Sequence, residues 1–266
     1  MYNSKIAGLG FYVPEKIVTN NDLSRVMDTS DEWIQERTGI KERRYGEKHK
    51  ETTATMGARA AEKAIERAGI SKEDVDMIIF ATLSPDYFFP GSGVLMQREL
   101  GITNMEAPAL DIRNQCSGFV YGLSVADQFI KTGKYKNILL VGAEMHSMGL
   151  DFSTRGRGVS VIFGDGAGAV LIQPTTEEGK GVLTTHLHSD GTHAEELEMI
   201  NPGSHGGYHE EGGIVKHGFP YAEFGGIFIT QKMMEEGLAY QYMNGQLVFN
   251  HAVIKFQEVS MEALHH

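Results

Sequence analysis

Cys116 is the chain's single cysteine and the residue with the clearest chemistry. Before it, Ala109, Leu110 and Ile112 read as a short buried strand. After it, Phe119, Val120, Leu123, Ala126, Phe129 and Ile130 fall at helical spacing. Gly133 follows, where a left-handed residue would close the helix. The pattern predicts Cys116 at a strand-to-helix turn, on the first turn of the helix. Unpaired N–H groups and the dipole at a helix start favour an anion, so the thiolate, the nucleophilic form of cysteine, is the species to expect there. Ser117 and Gly118 are small enough to let a carbonyl carbon approach the sulfur. An inert buried thiol is the commoner fate of a lone cysteine, and spacing alone leaves the two readings even.

Other residue groups offer less. His186, His188, His193, His205, His209 and His217 invite a metal reading, but their spacing is irregular and forms no ligand pattern. No metal is expected. Gly164-Asp165-Gly166-Ala167-Gly168-Ala169 is glycine-rich without the lysine and serine of a phosphate loop. It reads as a tight turn with close strand packing beneath the site.

Several elements must position these residues. Residues 4–13 alternate around Ile6, Leu9 and Val13 as a strand. Asn20 or Asn21 caps a short helix through Met27, and Ser30 caps the next, which ends at Gly39. Thr53 or Thr55 opens an alanine-rich helix to Ala68. Val75–Thr82 and Asn137–Ala143 are apolar runs suited to strands covered on both faces. A helix is predicted over Ser92–Leu100, and a strand over Gly166–Ile172. Residues 174–180 form a boundary, with a strand over Val182–Leu187, a glycine-rich excursion over 201–226 and a helix from about Gln246 onward. Strand and helix alternate, the pattern of a layered α/β fold.

Composition narrows the function classes. The net charge of −11 argues against a nucleic-acid binder, which would show a basic face. Lys41, Arg43 and Arg44 form one basic cluster, read as a solvated run. One cysteine permits no internal disulfide and fits a reducing cytoplasm. No signal peptide is visible, and no segment approaches the ~20 apolar residues of a membrane span.

Three motifs carry a resemblance. Asp111-Ile112-Arg113-Asn114-Gln115-Cys116-Ser117-Gly118-Phe119 resembles the nucleophile turn of the β-ketoacyl-acyl-carrier-protein synthase III family, in the thiolase superfamily. Thr29-Ser30-Asp31-Glu32-Trp33-Ile34 with Arg37-Thr38-Gly39-Ile40 resembles that family's early signature, and Phe163-Gly164-Asp165-Gly166-Ala167-Gly168-Ala169 its later one. The resemblance spans most of residues 1–173. It implies a thiolase-like αβαβα fold, with an N-terminal half over 1–173 and a partial second half over 181–266. It implies Cys116 as the catalytic nucleophile, Thr29, Trp33, Arg37 and Arg157 as contacts for coenzyme A, and Phe89 and Phe163 at the acyl pocket. Arg157 would sandwich the adenine against Trp33, and Phe89 would reach over the pocket of a partner subunit.

The activity so implied is decarboxylative condensation of an acyl-CoA primer with malonyl-acyl-carrier protein, by a homodimer that needs no cofactor. The family's Pro-His-Gln-Ala-Asn segment, which supplies the second catalytic site, does not occur among the 266 residues, and His251, His265 and His266 do not match it. The expectation is that this part exists as further residues or a second polypeptide. Two alternatives follow: a related condensing or acyl-transfer enzyme with a longer primer or another acceptor, and a chain that does not condense.

Overall fold

The protein is described by a computed structural model over residues 2–200, 203 and 234–265. The 201–226 excursion, apart from Gly203, lies outside the described residues, as do His205, His209, His217 and His266.

A five-stranded mixed sheet organises the molecule. It contains β1 (Asn3–Tyr12), β4 (Met77–Ala81), β5 (Ala109–Ile112), β6 (Ile138–Met145) and β7 (Asp165–Thr175), in the order β1-β7-β6-β4-β5. β4 runs parallel to both β5 and β6, whereas β7 is antiparallel to β6 and β1. Between β1 and β4 lie β2 (Ile17–Thr19), α1 (Asn20–Leu23), α2 (Asp31–Thr38), β3 (Glu42–Arg44) and α3 (Thr53–Ala68). α4 (Ser92–Leu100), α5 (Gly118–Lys131) and α6 (Arg157–Ser160) complete this part; a short β8 (Leu197–Glu198) pairs with β9 (Tyr242–Met243), and α7 (Gly245–His265) follows.

Helices cover both faces of the sheet, which is why β4 (Met-Ile-Ile-Phe-Ala) is buried at every position. On one face Ile78, Phe80, Leu139, Val141 and Leu171 pack against α3 and α4. On the other Met77, Ile79, Ile138, Leu140 and Ile172 pack against Ala126 and Ile130 of α5. A third core of Leu23, Met27, Ile34, Tyr45, Leu150 and Val161 sits beneath α1 and α2. No described helix is long and apolar enough to cross a membrane.

Five expectations change. β1 buries Ser4, Gly8 and Gly10, not its apolar alternation, and leaves Ile6 and Leu9 half exposed. The reason is close approach, since a methyl group at Gly10 would overlap the carbonyl oxygen of Ala60 on α3. β5 is partly exposed because it is the sheet's edge strand. The first helix is only one turn, capped by Thr19, whose hydroxyl accepts the N–H of Asp22. Residues 182–187 form no strand; Val182 donates one backbone bond to the oxygen of Ser4, while Leu183 stays exposed.

Fifth, Arg43 is no solvated residue. It is 7% exposed and donates to the carbonyls of Val18 (3.2 Å) and Val161 (3.0 Å), tying β2 to the end of α6. A guanidinium's planar fork suits such a double bridge.

Candidate functional site

β5 leads directly into the nucleophile turn. Ile112 stands beside Ala81 of β4, and Asn114 then leaves strand geometry at φ −132°, ψ 38°. Gln115 takes φ +46°, a left-handed conformation that costs a non-glycine residue on the order of 1 kcal/mol. Strain of this kind persists where surrounding contacts impose it, often at functional turns. The Ser117 hydroxyl donates to the Asn114 carbonyl and accepts from its side-chain amide, both at 3.1 Å, which closes the turn. Cys116 lies in the 3-10 turn Gln115–Ser117, two residues ahead of α5, and so just before the helix and not on its first turn as the spacing predicts. Gly118 is buried, and a side chain there would meet the methyl of Ala81 at 3.2 Å, so its small size lets the helix begin beneath the end of β4. The result is an exposed thiol at a helix start, a geometry suited to nucleophilic attack.

The residues expected around a nucleotide converge. Ser30 caps α2 by accepting the N–H of Trp33 at 3.1 Å. The guanidinium carbon of Arg37, one turn further on, lies 4.4 Å from the centre of the indole. That of Arg157, at the start of α6, lies 4.7 Å from it. Arg157 also donates to the carbonyl of Asp28 at 2.6 Å, which places it at the turn bearing Thr29. Thr29 itself has a buried hydroxyl with no hydrogen-bond partner among the described residues. Guanidinium groups over an indole are favourable stacks. A flat ring could enter between Arg157 and Trp33 only if the guanidinium moved off the indole.

The two residues expected at an acyl pocket differ in setting. Phe163 is partly buried against the third core, with its ring 4.7 Å from that of His146. Phe89 is 81% exposed, in the loop between β4 and α4. A cavity of about 650 Å³ is walled by Leu83, Tyr87, Leu95, Met145, His146 and others, and Cys116 does not line it. The exposed sulfur and this hollow are therefore separate features of the surface. Among the described residues, no group of three His, Cys, Asp or Glu side chains could hold a metal ion.

Some neighbours of these residues were not foreseen from the sequence. His146 beside Phe163 and Asp28 beneath Arg157 carry no local signal. Asp111 and Glu144, which hold the β4–α4 loop, form contacts between distant segments.

Comparison with known proteins supplies the family. Residues 110–191, which contain the nucleophile turn, match the family model described as 3-oxoacyl-[acyl-carrier-protein] synthase III. The beta-ketoacyl-[acyl-carrier-protein] synthase III of Ehrlichia canis is 41% identical over 99% of this chain and 72% of its own length. The enzyme of the same name from Clostridium acetobutylicum is 47% identical over 76% of this chain and 61% of its own length. Among solved structures, 3-oxoacyl-[acyl-carrier-protein] synthase III from Aquifex aeolicus superposes with a TM-score of 0.79 at 37% identity, covering 97% of this chain and 70% of that one. This chain therefore spans roughly two thirds of the length of such relatives, with the thiolase-like layering intact around the cysteine. On this combination of identity, coverage and superposition, the chain belongs to the 3-oxoacyl-[acyl-carrier-protein] synthase III family, a family of condensing acyltransferases.

Proposed function

We propose that this chain carries the acylation chemistry of a ketoacyl synthase that starts fatty acid chains from an acyl-CoA primer and malonyl-acyl-carrier protein. The Cys116 thiolate attacks the thioester carbonyl; the bond from carbon to the coenzyme A sulfur breaks, and coenzyme A leaves with a proton as the free thiol. The N–H groups at the start of α5 are the donors available to the oxyanion formed in that step. In the second step the malonyl group loses carbon dioxide, and the electron pair of the broken carbon–carbon bond forms an enolate. The enolate carbon attacks the acyl carbonyl, and Cys116 departs as thiolate. The enolate oxygen needs neutral hydrogen-bond donors, the role of the Pro-His-Gln-Ala-Asn segment in the resemblance, which the 266 residues do not contain.

The reading extends to Trp33, Arg37, Arg157 and Thr29 as the coenzyme A contacts, and to Phe89 and Phe163 as limits on primer length. It places the chain in a homodimer in which Phe89 borders the partner's pocket. Acyl-CoA is a substrate here, and no cofactor is required. The unpaired cysteine is suited to a reducing, cytoplasmic setting.

The observation that carries the reading is the exposed sulfur at the head of α5, beyond a left-handed residue. The test is radiolabelled acyl-CoA incubated with the wild type and with Cys116→Ala. Label should survive denaturation on the wild type and be absent from the variant. Equal labelling of the two would overturn the assignment.

A further inference from the structure

The loop between β4 and α4 presents Tyr87, Phe88 and Phe89 at 58%, 65% and 81% exposure. Three consecutive exposed aromatics could not hold a defined position through their own burial. The loop is instead fixed at both roots by carboxylates from the strands flanking β4. At the first root, Glu144 of β6 accepts the N–H groups of Leu83 (2.9 Å) and Ser84 (3.0 Å) and the hydroxyls of Thr82 and Ser84. At the second, Asp111 of β5 accepts the N–H groups of Ser92 (2.6 Å) and Gly93 (2.9 Å), capping a helix whose own cap residue, Gly91, has no side chain to do so.

Sequence and geometry agree on this second root. A side chain at Gly91 would lie 2.5 Å from the Asp111 carboxyl carbon, and one at Gly93 would lie 2.7 Å from its oxygen. Pro90-Gly91-Ser92-Gly93 is thus a backbone cradle shaped for this one carboxylate. The link continues through Ser92, which is fully buried. Its hydroxyl donates to Asp86 (2.7 Å) and accepts the Asp86 N–H (3.1 Å), while Asp86 also accepts the N–H of Ala54 at the start of α3 (3.0 Å). Asp86 and Ser92 therefore close a ring around the aromatic tip, and Asp111 ties that ring to β5, which leads to Cys116 five residues on.

We infer that Asp111, Ser92 and Asp86 are positioning residues that set the place of the Tyr87–Phe89 tip, and through it the primer lengths admitted at the pocket that Phe89 borders. The inference deepens the acylation reading above and rests on it. A tip released from Ser92 is freer to move aside, so the limit on primer length relaxes while the turn at Cys116 remains.

The experiment compares the rates at which two-carbon and eight-carbon acyl-CoA label Cys116 in the wild type, Ser92→Ala and Asp86→Asn, with thermal midpoints measured on each. The expected result is a rise of about fivefold in the eight-carbon to two-carbon ratio, the factor that one lost hydrogen bond carries. An unchanged ratio, or a loss shared by both primers in step with the thermal midpoint, overturns the inference. Wild type that takes no label from either primer defeats the acylation reading instead. The positioning claim is then decided by amide hydrogen exchange: faster exchange across residues 86–91 in both variants upholds it, and unaltered exchange there overturns it.

Discussion

Tyr45 shows what a single side chain contributes to this fold. It lies in the third core, edge-on to Phe152 at 5.8 Å, and its hydroxyl has no partner among the described residues. Burial pushes the phenol up to about 12, with the nearby Arg43 opposing that shift and Asp165 adding to it. The folded chain therefore keeps its proton longer than the unfolded chain, which titrates near 10. Below pH 10 both states are protonated and the group is neutral to stability. Between about pH 10 and 12 only the unfolded chain ionises, so the native state loses on the order of 3 kcal/mol. Tyr45→Phe removes that loss. It also removes a buried hydroxyl without a partner, a gain on the order of 1 kcal/mol at neutral pH. Urea denaturation of both proteins at pH 7 and pH 11 checks the pair of effects: the variant should be the more stable at both, and by more at pH 11. Equal stability at both pH values would mean that the hydroxyl is satisfied in solution.

At the scale of elements, the decisive contact is that of β1 with α3. Gly8 and Gly10 face Ala64, Ala68 and Ala60, small residues on both sides that bring backbone against backbone. Gly10→Ala should destabilise by about 2 kcal/mol or more, because carbonyl and amide atoms must move, not the tip of a side chain. Gly168→Ala, one strand away with nothing near its added methyl, is the control and should lie within about 0.5 kcal/mol of the wild type. Equal midpoints for the two in a denaturant titration would contradict the close-approach account. This contact also marks where the sequence stops being legible. α2 through α5 and α7 could be read to within a residue or two, since each carries a local signal, a capping residue and closing glycine for α2 and apolar periodicity for α5 and α7. The buried face of β1 could not, because glycines carry no apolar signal and the exposed Ile6 and Leu9 carry a false one. Residues 182–187 had strand composition, but a strand also needs a partner in register, and only Val182 makes such a bond. The site divides in the same way. The motifs that resemble the family's single out Cys116, Trp33 and Arg157 by local sequence, whereas the bonds of Asp111 to Ser92 and of Glu144 to Leu83 join residues 19 and 61 apart. Burial of Arg43 was hidden for a related reason, because its partners are carbonyls of distant segments.

Across the whole molecule, stability is unevenly distributed between the sheet and α7. β4 is buried throughout, whereas α7 has 21 residues and buries none among those described. Its attachment runs through a short relay. Ser124 of α5 accepts from Thr185 at 3.0 Å, and Tyr121 of the same helix donates to the carbonyl of His188. Glu262 of α7 in turn meets His188 at 2.7 Å and His186 at 3.0 Å. Those hydrogen bonds, from His188 first and His186 next, hold the Glu262 carboxyl below the usual carboxylate range. A carboxyl so lowered stabilises the docked state above its ordinary titration range and loses that contribution as pH falls through its lowered value. Amide hydrogen exchange, corrected for the intrinsic dependence on pH, should report this helix by helix. In Glu262→Gln, exchange along α7 at neutral pH should quicken by about threefold, a modest factor suited to an exposed ionic contact, while β4 and β6 stay as in the wild type. Acidification should quicken α7 in the wild type and much less in the variant, which has no carboxyl left to protonate. If α7 exchanges identically in the two proteins at every pH, the histidine–glutamate relay does not hold it, and the ring contact of His251 with His193 is the next anchor to test.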